Sequence, residues 1–359
     1  MSGGVDSSVA AWLLRQQGYE VVGLFMRHGQ EEPTACPGDR SASRKRGCCS
    51  AADAADARRA ADVLGIPFYA VNFQNEFERI VDYFVAEYTA GRTPNPCIVC
   101  NTWLKFGKLV EYADAVGAEF VATGHHARIV RLPDGGTALC RGCDTAKDQS
   151  YVLFGIQRQL LPRILLPVGE YRKEEIRRMA EKLGLAVAGK RDSQEICFVP
   201  DQDHARFIRQ RCAEGDRSGE IVTTDGAVVG RHAGVEQFTV GQRQGLRLAF
   251  GEPRYVVRID ADARRVVIGT REDLAKRELT ASGANWLVDL EQESPRPAHG
   301  IRAEVKIRYR SQPAGASVYG LPGGRLRVLF DAPCYGVAPG QAAVCYLGQR
   351  LLGGGWIES

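Results

Sequence analysis

From Ser2 to Thr123 the chain alternates glycine-ended helical patterns with short apolar runs, and few folds tolerate that alternation. Val9, Ala10, Leu13 and Leu14 recur at helical spacing after a glycine–serine loop, and Gly18 stands where a helix would end. Glu20–Met26 then reads as a buried strand. Ser50 and Asp53 have capping-box spacing and open a helix that stops near Gly65. Phe68–Phe73 is the next strand, and Phe77, Ile80, Phe84 and Tyr88 fall on one face of the helix after it. Two prolines stiffen Gly91–Asn101 into a loop, a helix is expected over about Lys105–Val116, and Glu119–Thr123 is again a strand. Strands alternating with helices predict an α/β fold with a doubly wound parallel sheet.

The pattern then changes. Ile129–Cys140 reads as a hairpin around Pro133-Asp134-Gly135-Gly136, and a helix is expected over Lys173–Leu183. After Pro200 strands dominate: Glu220–Thr224, Ala227–Gly230, Tyr255–Asp260 and Val266–Gly269, then Ala303–Tyr309, Leu326–Phe330 and Ala342–Leu347. At 359 residues the chain exceeds one ordinary core. The expected division is a catalytic domain at 1–200, with 160–192 as a helical connection, and two small mostly β domains at 201–280 and 281–359, the last a small barrel.

Composition narrows the function classes. A net charge of +4, with arginine-rich stretches at Arg206–Arg217 and Arg302–Arg310, permits a nucleic-acid partner without demanding one. No apolar run reaches the roughly 20 residues of a membrane span, and no signal peptide is legible, so a cytoplasmic protein is expected. Eleven cysteines without a secretory signal argue against a disulfide framework and for catalysis or metal binding.

Ser2-Gly3-Gly4-Val5-Asp6-Ser7-Ser8 suits a polyphosphate: the glycines let backbone approach the anion, and the serines add hydroxyls at a helix N-terminus. Asp6 is the candidate ligand for Mg²⁺. The string lacks the Walker lysine and resembles the PP-loop of the ATP pyrophosphatases, which adenylate a carbonyl-type oxygen and release pyrophosphate. Such a loop normally follows a buried strand, so the natural start is expected upstream of Met1.

Two further segments are Gly91-Arg92-Thr93-Pro94-Asn95-Pro96-Cys97-Ile98-Val99-Cys100-Asn101 and Ser193-Gln194-Glu195-Ile196-Cys197-Phe198-Val199-Pro200. Together with the loop, Gly124-His125-His126-Ala127, Lys147-Asp148-Gln149-Ser150-Tyr151, Phe238–Arg243 and Arg308-Tyr309, they resemble the tRNA-specific 2-thiouridylases over nearly the whole chain. The resemblance implies ATP-dependent replacement of the C2 oxygen of the wobble uridine (position 34) of Lys, Glu and Gln tRNAs by sulfur, with AMP and pyrophosphate released. Cys197 would carry a persulfide, Cys100 would be the second nucleophile, and the two would form a transient Cys100–Cys197 disulfide. It further implies ATP contacts from Met1 through Ser8, Met26 and Gly124, and target-base or tRNA contacts at Asn95, Pro96, Cys97, His125, Lys147, Asp148, Gln149, Arg308, Tyr309 and Gln341. The implied partners are the tRNA anticodon arm and a cysteine desulfurase or sulfur-relay protein as donor.

The commonest family pattern has Asp where Cys97 stands, so Cys97, Cys100 and Cys197 could instead hold an iron–sulfur cluster with one open iron. A buried or hydrogen-bonded imidazole is the plain alternative for His126. Cys36, Cys48, Cys49, Cys140, Cys143, Cys212, Cys334 and Cys345 are read as ordinary small hydrophobes; Cys140 and Cys143 have metal-like spacing but no second pair. The competing functions are a PP-loop synthetase with another acceptor, which needs neither Cys100 nor Cys197, and a non-catalytic RNA-binding protein, which has no use for the loop.

Overall fold

The computed structural model describes residues 1–28, 50–190, 192, 196–199, 203–212, 215–246, 248, 250–293 and 300–358. The chain divides into two compact units, Met1–Ile80 with Val99–Gln202 and Val81–Ile98 with Asp203–Ser359. The calls on Cys36, Cys48, Cys49, Ser193, Gln194, Glu195 and Pro200 lie outside the described residues.

The first unit opens with helix α1 (Val5–Gln16), strand β1 (Gly23–Arg27), α2 (Ala51–Leu64) and β2 (Phe68–Asn72). β1 and β2 pair in parallel. The Ser50–Asp53 capping box starts α2, and Gly65, left-handed at φ 60°, ends it. Helix α3 (Gln74–Thr89) follows, and Phe77, Ile80, Phe84 and Tyr88 are all buried, as their spacing predicts. The next helix starts at Pro96, not near Lys105: α4 (Pro96–Val99) runs into a π-helical stretch, Cys100–Lys108, and then α5 (Leu109–Ala115). The side chain of Asn95 accepts the Ile98 N–H at 3.3 Å, and Pro96 needs no amide partner in the first turn. What reads as a proline-stiffened loop is therefore a capped helix start that carries Cys97 and Cys100.

Strand β3 (Val121–Ala122) precedes the hairpin β4 (Ala127–Arg131) and β5 (Thr137–Arg141); β6 (Ile164–Leu165) returns parallel to β3, and α6 (Lys173–Lys182) follows. Val5, Val9 and Leu13 of α1 pack with Ile176 and Ala180 of α6, while Ala11 meets Ala61, Leu64 and Ile66. Helices packed against parallel strand pairs make this the α/β unit that the alternation predicts.

In the second unit, α7 (His204–Arg211) precedes β7 (Gly219–Thr223), β8 (Val228–His232), β9 (Tyr255–Asp260) and β10 (Arg265–Gly269), in the order β8-β7-β10-β9. Ile221, Val256, Val266 and Ile268 form that sheet's core. Strands β11 (Ala275–Trp286), β12 (Ile301–Lys306), β13 (Ala314–Leu321), β14 (Arg325–Tyr335), β15 (Ala342–Leu347) and β16 (Arg350–Ile357) then run β11-β14-β13-β12-β15-β16, and β16 pairs back on β11. The result is a closed six-stranded antiparallel barrel with no free edge in the ring. Its interior is apolar, with Leu279, Val305, Val318, Leu326, Val328 and Leu352 among the buried residues. Strands β11, β13 and β16 have no counterpart among the predicted runs. β11 begins with the exposed Ala275–Glu278, β13 is built of small residues, and Gly353–Gly355 interrupt β16.

Candidate active site

Ser2–Ser8 is a tight turn that becomes a helix. Gly3 takes a left-handed φ of 69°, Gly4 is extended, and Val5 begins α1. A side chain at Gly3 would put its Cβ 2.3 Å from the Asp53 carbonyl oxygen, so only glycine fits there. Ser7 and Ser8 donate from their hydroxyls to the Gly4 carbonyl at 3.2 and 3.0 Å, which fixes the turn. The first-turn N–H groups have no partners within the helix and form an anion cradle. Gly124, just beyond β3, closes on the loop from the sheet side: a Cβ there would lie 2.6 Å from the Asp6 carbonyl carbon and the Ser7 nitrogen. The loop therefore sits at the carboxyl end of a parallel strand, where α/β sheets bind ligands.

Beneath the loop is a network of charges. Both carboxylate oxygens of Asp6 accept from the buried Lys173 ammonium at 2.7 Å, and Oδ1 also accepts from His126 Nε2 at 3.1 Å. Burial pushes the Asp6 carboxyl up, but the His126 hydrogen bond and the Lys173 charge outweigh it and hold it below the usual range. An ionised carboxylate only accepts, so Nε2 carries the His126 proton. Lys173 also meets Asp192 at 2.9 Å, and Asp192 takes Lys147 and Arg177, each at 2.8 Å. Burial opposes ionisation of Asp192, yet these cations bring it down to about 2. Lys190 donates to the Gly3 carbonyl at 2.8 Å, to Asp53 at 2.6 Å and to Asp56 at 2.9 Å, pinning the turn from the other side.

The predicted contact residues fall into place unevenly. His126 is the buried, hydrogen-bonded imidazole of the plain alternative, and its backbone N–H donates to Gln149 Oε1 at 2.9 Å. His125 is buried too, with Nδ1 2.7 Å from Thr123 Oγ1; burial first, then the Lys105 charge, lowers its pKa well below the normal range, so it is neutral at pH 7. Asp148 accepts from the backbone N–H groups of Gly142 and Ser150, both at 3.1 Å, and from the Ser150 hydroxyl at 2.9 Å. In this structure Asp148 and Gln149 thus tie their loop to Gly142 and His126, while Lys147 is paired with Asp192. Met26 is half-buried on β1, and the Met1 amino group donates to the Leu24 carbonyl.

Cys100 is half-buried at the first π-helical residue, beside the buried Asn101, whose amide donates to the Val152 carbonyl at 3.0 Å. Cys197 is half-buried next to Phe198, whose ring meets Phe77 edge-on at 5.6 Å; Phe77 in turn stacks on His28 at 3.8 Å. Cys97 is exposed. Among the described residues, no three or more His, Cys, Asp or Glu are grouped to share a metal ion. Burial lifts the Cys345 thiol to about 12, which suits the inert reading.

Arg308, Tyr309, Gln341 and Asn95–Cys97 all belong to the second unit. The Gln341 amide donates to the Thr93 and Pro94 carbonyls at 2.9 and 3.2 Å, and the Thr93 N–H donates to the Pro339 carbonyl at 2.8 Å, so the barrel grips the segment leading into α4. Arg308 donates to the Val240 and Gly336 carbonyls, joining two turns. Tyr309 is exposed, with the Lys306 ammonium 5.8 Å from its ring centre.

Comparison with known proteins decides the family. Three family profiles cover most of the chain: tRNA methyl transferase HUP domain at residues 1–201, tRNA methyl transferase PRC-barrel domain at 205–270, and aminomethyltransferase beta-barrel domain at 276–357. The chain is 52% identical to the tRNA-specific 2-thiouridylase MnmA of Rhodopirellula baltica, over 99% of this chain and 94% of that protein. The MnmA proteins of Geobacter metallireducens and Moorella thermoacetica are each 46% identical over 100% of this chain, covering 95% and 98% of their own lengths. The chain belongs to the tRNA-specific 2-thiouridylase family. It is accordingly a PP-loop, ATP-using enzyme of the sulfurtransferase class.

For a 2-thiouridylase the loop fits ATP: its glycine backbone and the helix N-terminus suit a polyphosphate, the serine hydroxyls brace the turn, and Lys173 and Lys190 lie beside it. Lys173 already bonds both Asp6 oxygens, so a Mg²⁺ at Asp6 would compete with that ammonium for the carboxylate. Sequence reasoning missed Lys173, Arg177, Lys190 and Asp192. Lys173 lies 167 positions from its partner Asp6, and no spacing rule links such residues.

Proposed function

We propose that this enzyme uses ATP to activate the C2 oxygen of the wobble uridine in tRNA and replaces that oxygen with sulfur delivered by Cys197. The C2 oxygen attacks the α-phosphorus, and pyrophosphate leaves. The terminal sulfur of a Cys197 persulfide adds at C2, and AMP leaves with the original oxygen. The Cys100 thiolate then attacks the Cys197 sulfur, forming a Cys100–Cys197 disulfide and freeing the 2-thiouridine. A two-electron thiol reductant restores both cysteines, and a cysteine desulfurase or relay protein reloads the persulfide.

The observation that carries this reading is the joining of the two chemistries in one unit: Asp6 of the phosphate loop and Asp192, upstream of Cys197, share the Lys173 ammonium. A methyl transfer, the activity in two of the profile descriptions, needs no adenylating loop. The relatives are named for 2-thiolation of uridine in tRNA. Lys, Glu and Gln tRNAs are the proposed substrates, with the anticodon arm held by the barrel through the exposed Tyr309 stacking on unpaired bases and through Arg308, which also braces the turns beside it.

Incubation with ATP, Mg²⁺, a persulfide donor, a thiol reductant and unmodified tRNA, followed by nucleoside mass spectrometry, should yield 2-thiouridine. Cys197→Ser and Cys100→Ser should each lower the yield at least about 1,000-fold, in line with loss of a covalent nucleophile, while the adenylation step still releases pyrophosphate. Full thiolation by either variant would sink the reading.

A further inference from the structure

We propose that Lys173 is a positioning residue that couples the phosphate loop to the segment bearing Cys197, so that a polyphosphate bound in the loop changes the reactivity of Cys197. The inference rests on the proposed reading of that loop and that cysteine. An ammonium has three N–H donors, and Lys173 has three acceptors within reach: Oδ1 and Oδ2 of Asp6 at 2.7 Å and Oδ1 of Asp192 at 2.9 Å. Its side chain is only 8% exposed, so water offers little replacement for a lost partner. Asp6 lies inside the loop, and Asp192 lies five residues before Cys197. The two carboxylates are thus held in register by one buried cation.

A polyphosphate in the loop brings fresh negative charge beside Asp6, and with Mg²⁺ it brings a cation that competes for the same carboxylate. Either event alters how Lys173 divides itself between Asp6 and Asp192. Asp192 does not collapse when that share changes, because Lys147 and Arg177 still hold it. The coupling requires a second arrangement of Asp192, held by Lys147 and Arg177 alone, beside the one seen here, in which Lys173 holds it as well. A ligand shifts such an equilibrium only through contacts that differ between the arrangements, and the Lys173 contacts are those.

The test follows iodoacetamide alkylation of the Cys197 peptide by mass spectrometry in the full chain without tRNA, with and without saturating ATP and Mg²⁺. ATP binding is measured separately by equilibrium dialysis. In the unaltered protein ATP should change the Cys197 rate by about 5-fold or more, the lower end of ordinary site-to-site coupling. Asp192→Asn should reduce that ratio to within about 2-fold while ATP still binds; Lys173→Met, read at ATP concentrations that saturate the variant, should reduce it as well, and Lys173→Arg, which keeps the charge, should keep part of it. If Lys173→Met fails to fold, Asp192→Asn decides alone. An unaltered protein that binds ATP with no change at Cys197, or an Asp192→Asn protein with the full response, overturns the coupling and leaves the nucleotide site standing. Failure to bind ATP at all overturns the loop assignment and the coupling together.

Discussion

Asp6 meets Lys173 across 167 residues of chain, and Lys190 meets Asp53 across 137, so the neighbourhood of the phosphate loop is assembled by charges that the sequence keeps far apart. In the barrel of the second unit, Val305 stands opposite Cys345, and Val318 opposite Val328, because antiparallel ladders place alternate residues on one face. The first arrangement fixes a few side chains in direction and depends on every partner being present. The second fixes a shape by apolar area and tolerates small changes at any one position. Chemistry that needs an oriented anion site is found in the first kind of region, and a rigid support in the second.

Truncation inside the barrel should have the largest effect. Leu352 is fully buried in that core, and Leu352→Ala should cost about 3 to 4 kcal/mol, from lost transfer energy and the cavity left behind. Peptide-resolved hydrogen exchange should show the loss in β15 and β16 and little change in residues 1–28. Equal loss in both places would break the contrast between the units. Lys190→Met comes next. It leaves Asp53, whose side chain is 11% exposed, without its cation; because Lys190 itself is 29% exposed, the cost should be about 2 to 3 kcal/mol, below that of a wholly buried pair. Here exchange should rise at Gly3–Ser8 and at the start of α2, and ATP affinity should fall. A variant with unchanged exchange at the loop would show that the charges do not hold it.

Gln341→Glu sharpens the comparison, because it places the barrel's influence outside the barrel. The carboxylate cannot donate to the Thr93 and Pro94 carbonyls, so about 1 to 2 kcal/mol should be lost locally. Faster exchange of the Thr93 amide in the absence of tRNA is the expected outcome. An unchanged Thr93 amide with weakened tRNA binding would assign Gln341 to the RNA instead.

How much of this was legible in the sequence follows the same division. Alternation marked β12, a continuous apolar run marked β15, and Ser50–Asp53 announced α2, because local rules govern all three. The glycine–serine loop and the family resemblance were legible for the same reason: they are short and contiguous. The start of α4 was hidden because Pro94 and Pro96 read as loop residues until Asn95 is seen to cap the helix. β16 was hidden because Gly353–Gly355 carry no pattern, although the ring of strands makes all three buried. Lys173, Lys190 and Asp192 were hidden because only the folded chain brings them to the loop.

The smallest expected effect concerns pH, and it probes the charge network alone. Asp192 has its folded pKa lowered from the ordinary carboxylate value to about 2, so the folded state holds fewer protons there than the unfolded chain. A depressed carboxyl contributes stability that is fully present above the unfolded value, near 4, and is lost as pH falls toward 2. A shift of that size is worth at most about 2.5 kcal/mol, and screening of a partly exposed group reduces it to about 1 kcal/mol. Urea unfolding followed by exchange in α6 peptides should therefore show a decline between about pH 4 and pH 2 that Asp192→Asn flattens. The barrel has no comparable buried carboxylate among its described core residues, and its peptides should show no change of slope from the same substitution. A slope unchanged in α6 by Asp192→Asn would mean that Lys147, Lys173 and Arg177 are held by something other than this carboxylate, and the network would need another centre.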